Sequence, residues 1–140
     1  MAYDNSNIFA KILRGEIPAH KVYEDADVIA FMDAMPQAPG HTLVVPKAAS
    51  RNLLDADEGV LARAMPVVQK VARAVKSAFG ADGIAVIQYN ELAAGQSVFH
   101  LHFHVVPRHD GIPLRPHSGG MESPEVLAIA AQKIKAALDA

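Results

Sequence analysis

Hydrophobic positions along the chain alternate between two spacings, and the switches mark out its elements. In residues 7–14 the apolar side chains Ile8, Phe9, Ile12 and Leu13 fall on one side of a short helix, which Ser6 is placed to cap and Gly15 to end. Pro18 then forces an extended exit. Residues 28–32 (VIAFM) form an uninterrupted apolar run with β-branched and aromatic content, the mark of a buried strand. A turn rich in proline and glycine over 35–40 leads to a second strand over 41–45, and Pro46 ends it by withholding a donor.

From residue 57 to residue 79 the spacing becomes helical. Val60, Ala64, Val67, Val71, Val75 and Phe79 give one buried stripe, and Pro66 inside it predicts a kink or a division into two helices. Gly80 and Gly83 break the pattern before a third strand over 84–89. A loop over 90–97 precedes a fourth strand over 98–107, and residues 108–122 read as irregular surface loop. A closing helix is predicted over 124–138, with Ser123 as its cap, Pro124 in its first turn, and Leu127, Ala130, Ile134 and Leu138 facing inward. Connections between neighbouring strands are too short for parallel crossovers, so the fold class is α+β with an antiparallel sheet. The expected domain organisation is one domain over residues 1–140, with 108–140 as a variable C-terminal loop and helix.

Composition narrows the classes of function. Of the 140 residues, 51% are hydrophobic and only 20% charged, which supplies a real core and argues against a disordered chain. The net charge of −2 and the lack of a basic run speak against a grip on polymeric nucleic acid. With no cysteine there is no disulfide framework, thiolate nucleophile or cysteine-ligated zinc. The polar start of the chain is unlike a secretory leader, and no apolar stretch approaches the ~18 residues of a membrane span. A cytoplasmic location away from membranes is the resulting expectation.

The chemistry concentrates in the predicted fourth strand, where His100, His102 and His104 alternate with Leu101, Phe103 and Val105. Alternate residues of a strand share a face about 6.6 Å apart, so the imidazoles line one exposed face and the apolar residues point into the core. A solvated sheet face ordinarily carries lysine, threonine or glutamate, not three like-titrating groups. A metal site is a second reading, because histidines two apart on a strand can share a zinc ion. Asp33 is the one carboxylate placed near a strand end, which leaves that ligand set incomplete, so no metal and no cofactor is expected. A third reading uses all three rings: a neutral imidazole is a good nucleophile toward phosphorus, and its neighbours stabilise the developing charge. Gly95 permits an unusual backbone angle, so nearby amides and the Ser97 hydroxyl could cradle an anion.

The run from His100 to Val106 (HLHFHVV) resembles the signature of the histidine triad (HIT) family, histidines alternating with apolar residues. The resemblance extends to residues 7–18, to 33–47 with PQAPGHTLVVP, and to Asn90, Glu91, Gly95, Gln96 and Ser97. It implies a sheet of about five antiparallel strands with a long central helix, a short N-terminal helix and a C-terminal helix. It also implies a hydrolase or transferase acting at the α-phosphate of purine nucleotide derivatives: nucleoside phosphoramidates, adenylylated compounds or dinucleoside polyphosphates. In that reading His102 is the nucleophile and forms a nucleotidyl intermediate. His104 contacts phosphate oxygens, His100 holds the cluster, and Ser97 relays a proton. His41 joins the cluster, Asp33 binds ribose hydroxyls, Phe31 lies near the base, and Asn90, Gly95 and Gln96 surround the phosphate. A homodimer is implied, with the central helix and a sheet edge as its interface.

The chain departs from many relatives, which carry Cys-x-x-Cys at the positions of Asn7 and Ala10 and a histidine at that of Ala49 as a structural zinc site. Without those ligands a zinc staple is not expected, and the N-terminal helix must be held by packing of Ile8, Phe9, Ile12 and Leu13 alone. No tryptophan is present to form a C-terminal lid. Two other functions stay open from sequence: a non-catalytic nucleotide-binding or interaction module, and a metal-dependent hydrolase.

Overall fold

The computed structural model describes residues 3–116 and 120–140; the predicted loop's residues 117–119 and the first two residues lie outside them. Five strands form one sheet: β1 (Lys21–Glu24), β2 (Val28–Met32), β3 (Thr42–Pro46), β4 (Gly83–Ile87) and β5 (Phe103–Arg108). The spatial order is β1-β2-β3-β5-β4, and every neighbouring pair is antiparallel. Three helices complete the fold: α1 (Ile8–Leu13), α2 (Glu58–Phe79) and α3 (Pro124–Asp139).

Side chains of the sheet divide between its faces with the period of two that a strand imposes. Val28, Ala30, Met32, Val44, Leu101, Phe103 and Val105 join one core with the inward stripes of α2 and α3. Ile29, Phe31, Leu43 and Val45 point the other way and pack with Phe9 of α1. Helices α2 and α3 therefore cover one face, and α1 covers only part of the other. The histidines lie on that second face, buried beside Phe9 of α1 and Tyr3.

Four expectations are corrected. Residues 57–79 were expected to bend or split at Pro66, yet α2 runs unbroken through it. Pro66 and Ala62, the residue whose carbonyl loses its partner, are both exposed, so the freed group lies on the solvent side of the helix. The N-cap of α1 is Asn7, whose side chain accepts from Ala10 N–H (2.9 Å), while Ser6 bonds to Asp4. Strand β1 follows the Pro18 exit and was not anticipated, because four residues with one buried side chain, Val22, carry too little pattern. Finally, the fourth predicted strand begins at Phe103 and not at Val98. Leu101 N–H donates to Ser50 O (2.9 Å) and the His100 carbonyl accepts from the His102 ring (2.6 Å), so these backbone groups are diverted from a strand ladder.

Candidate functional site

Only His104 therefore stands in a regular strand, opposite Leu43 on β3 and Ile87 on β4. His100 and His102 sit in the bend that feeds β5. The face they share is not exposed: His100, His102 and His104 retain 1%, 7% and 3% of their accessible surface, and His41 none. Alternation still governs which way they point, because Leu101, Phe103 and Val105 enter the opposite core.

Each ring's tautomer follows from its partners. His102 Nδ1 lies 2.6 Å from the His100 carbonyl, which can only accept, so the proton is on Nδ1 and the lone pair on Nε2. His100 donates from Nε2 to Pro46 O (2.7 Å) and accepts at Nδ1 from the Tyr3 hydroxyl (2.6 Å). Burial pushes its pKa below the ordinary histidine value, the Pro46 bond opposing that shift in part. His41 Nδ1 accepts from Gln37 N–H (3.0 Å), so its proton is on Nε2, which faces His104 Nδ1 (2.9 Å) and an Asp33 oxygen (3.4 Å). His104 in turn accepts at Nδ1 and carries its proton on Nε2. The rings of His102 and His104 lie 5.0 Å apart, and Phe9 meets His102 edge-on at 4.8 Å.

Asp33, His41 and His104 are all buried, with ligand atoms within 4.8 Å of one another, a set that could hold a metal ion. The metal reading thus gains the ligands it lacked from sequence. The protonation of His41 opposes it: Nε2–H is a donor toward both neighbours, and an ion would have to displace that proton. The arrangement suits a hydrogen-bond relay better than a metal centre.

The remaining sequence-derived residues separate into two groups. Phe31 is buried and edge-on to Phe9 at 5.4 Å, and Asp33 ends the same strand with one oxygen accepting from Met35 N–H (2.9 Å). Gly95 adopts φ 110°, the conformation that glycine permits, and a Cβ there would approach the Tyr89 ring to 3.3 Å. Ser97 is exposed in the same loop. Gln96, by contrast, is fully buried and spends its side chain on the loop itself, accepting from Glu91 N–H (2.8 Å) and donating to the carbonyls of Arg51 (2.8 Å) and Val98 (3.0 Å). Asn90 is likewise engaged, accepting from Leu53 N–H (2.9 Å) and bonding Gln88 through both side-chain atoms.

Sequence reasoning missed Tyr3, Arg51 and Asn52. Tyr3 binds His100 and accepts from Asn7 Nδ2 (3.0 Å), so α1 is tied down by hydrogen bonds as well as by packing, a correction to the expectation. No spacing announces that bond, which joins residues 97 positions apart. Arg51 forms a two-pronged pair with Glu91 (2.8 Å for both contacts), across 40 positions that carry no shared period.

The chain is similar to several known proteins. The model of the HIT domain matches residues 14–111. A crystal structure of a Hit-like protein from Bartonella henselae superposes with a TM-score of 0.92 at 60% identity, covering 97% of this chain and 99% of that one. Protein hit of Bacillus subtilis is 42% identical over 102 residues, 73% of this chain and 70% of its own length. The adenosine 5'-monophosphoramidase HNT1 of Saccharomyces cerevisiae is 39% identical over 107 residues, 76% of this chain and 65% of its own.

Proposed function

The chain belongs to the HIT domain family, and from that premise we propose that it is a nucleotide hydrolase or transferase working through a covalent nucleotidyl-His102. The observation that carries this reading is the bond from His102 Nδ1–H to the His100 carbonyl, which puts the lone pair on Nε2. His102 Nε2 attacks the α-phosphorus of a purine nucleotide derivative; the new P–N bond forms as the bond to the leaving group breaks. A departing amine needs a proton, and His104 Nε2–H or the Ser97 hydroxyl supplies it. Water or another acceptor then attacks phosphorus, the bond to Nε2 breaks, and the nucleoside monophosphate leaves.

The other residues find roles in this reaction by their position and chemistry. His104 and the amides around Gly95 meet the phosphate oxygens, with His41 and Asp33 holding the His104 proton outward. Asp33 also stands where a carboxylate would take ribose hydroxyls, beside Phe31 for the base. Gln96 and Asn90 serve by shaping the loop. The yeast relative's name supports a nucleoside phosphoramidate as the first substrate to try, with adenylylated compounds and dinucleoside polyphosphates next. A homodimer through α2 and the outer edge of β4, where Val86 is half exposed, goes with this reading, and sedimentation tests it. For the activity itself, adenosine 5'-phosphoramidate should be hydrolysed by the wild-type chain and not by His102→Ala. Equal turnover by both proteins would overturn the assignment.

A further inference from the structure

Among the described residues, one non-glycine residue has a positive φ: Glu91, at φ 75° and ψ 160°. That region of backbone space belongs almost wholly to glycine, and it persists only where surroundings over-determine it. Here they do. Both carboxylate oxygens of Glu91 are taken by Arg51, from Nε and Nη2 at 2.8 Å each, and Asn52 Nδ2 adds a third bond at 2.6 Å. The pair holds the Glu91 carboxyl far below its usual range, at about 2. The Glu91 amide donates to the buried Gln96 side chain, and its carbonyl accepts from the amides of Ala94 and Gln96 (3.1 Å each).

The same short segment grips the loop at its far end. Ser50 O accepts from Leu101 N–H, between His100 and His102, and Arg51 O accepts from Gln96 Nε2. The Arg51 guanidinium also lies over the Phe99 ring at 4.2 Å. Residues 50–52 thus hold the loop at its strained start, in its middle and at the histidines, and Ser97 sits between the two anchored neighbours Gln96 and Val98.

We propose that Glu91 and Arg51 are positioning residues: their ion pair ties the glycine-like turn at Glu91 to residues 50–52, and that tie, beyond the turn itself, sets the register of the 91–102 loop, and with it Ser97 and the His102 ring against the phosphorus. This rests on the reaction proposed above. Neither side chain touches substrate; both act through the loop.

The experiment compares wild type with Glu91→Gly, Glu91→Ala, Glu91→Gln and Arg51→Lys, using adenosine 5'-phosphoramidate for turnover and AMP for binding. Glycine accepts φ 75° without strain, so Glu91→Gly should melt above Glu91→Ala, yet both should lose kcat by about 10- to 100-fold. AMP affinity should change by no more than about threefold in either, while Arg51→Lys, which has no planar fork, loses kcat to a similar degree. Glu91→Gln, keeping the shape without the charge, should fall between. A Glu91→Gly protein with wild-type kcat and KM overturns the positioning role and leaves the reaction standing. A wild-type chain that turns over none of the three substrate classes overturns the reaction instead. The loop claim is then decided by amide exchange over residues 97–101: faster exchange in Glu91→Ala upholds it, and unchanged exchange ends it.

Discussion

The two faces of the sheet are buried by different means. On the face under α2 and α3, Val44, Val71, Val75, Val105 and Ile134 lose all contact with solvent and make no directed bond through their side chains. On the other, His41, His100, His102 and His104 are also buried, and each ring is fixed by a hydrogen bond at 3.0 Å or less. Burial of apolar surface is non-directional and tolerates repacking. A buried imidazole lacks that tolerance, because an unmet donor or acceptor costs its full desolvation. The first face should therefore answer substitution with stability, the second with chemistry.

The sharpest break of that comparison pairs one residue from each face. His102→Ala should cut turnover of adenosine 5'-phosphoramidate by about 10^4-fold or more, far beyond what its loss of stability accounts for, with the protein still folded at the assay temperature. Ile134→Ala should do the reverse, costing about 2–5 kcal/mol in denaturant unfolding and leaving kcat of the folded protein unchanged. Comparable losses of both properties in both variants would erase the distinction.

Next in size is Tyr3→Phe, which strands the buried Nδ1 of His100 without changing shape. It should cost about 1–3 kcal/mol by denaturant titration, and a cost near zero would show that packing alone anchors α1. Pro66→Ala tests the helix-covered face from its exposed side. Restoring a bond to Ala62 should raise stability by about 1–3 kcal/mol, and a variant that melts lower would mean the helix depends on the proline's rigidity.

Smallest is the response to acid, which separates the faces by titration. His100 is held neutral by burial, so its pKa in the fold is below that of the unfolded chain. Its contribution to stability is complete above about pH 6.5 and is lost as pH falls below that value toward the lowered one. The Glu91 contribution behaves similarly but lower, complete above the ordinary carboxyl value of 4.5 and lost as pH falls through about 2. Unfolding between pH 6.5 and pH 5 should thus weaken with His100→Asn and stay the same with Glu91→Gln. Turnover should fall in acid, since a protonated imidazole has no lone pair to offer phosphorus; a flat acid limb would speak against a histidine nucleophile.

The sequence made the first face far more legible than the second. Periodicity located α2, α3 and the two central strands because the same spacing that fills a core is visible in the residues themselves. It also told which side of residues 100–105 faces the core. It failed where backbone hydrogen bonds leave the ladder: the bend at 98–102 looks like a strand because its side chains alternate, although Ser50 and His102 take its polar groups. The triad stood out by its alternation, the roles of its neighbours His41 and Asp33 came by resemblance, and the structure supplied what neither could, the proton on each ring. Tyr3, Arg51 and Asn52 were invisible because a long-range hydrogen bond leaves no local period.

The central claim is that His102 becomes covalently nucleotidylated. It is tested most directly by mixing the protein with adenosine 5'-phosphoramidate labelled at phosphorus, quenching within milliseconds and mapping the label on the denatured chain. The account predicts a transient label on His102, appearing before free AMP accumulates and absent from His102→Ala. AMP formed at full rate with no labelled protein at any time, or label carried equally by His102→Ala, would contradict it.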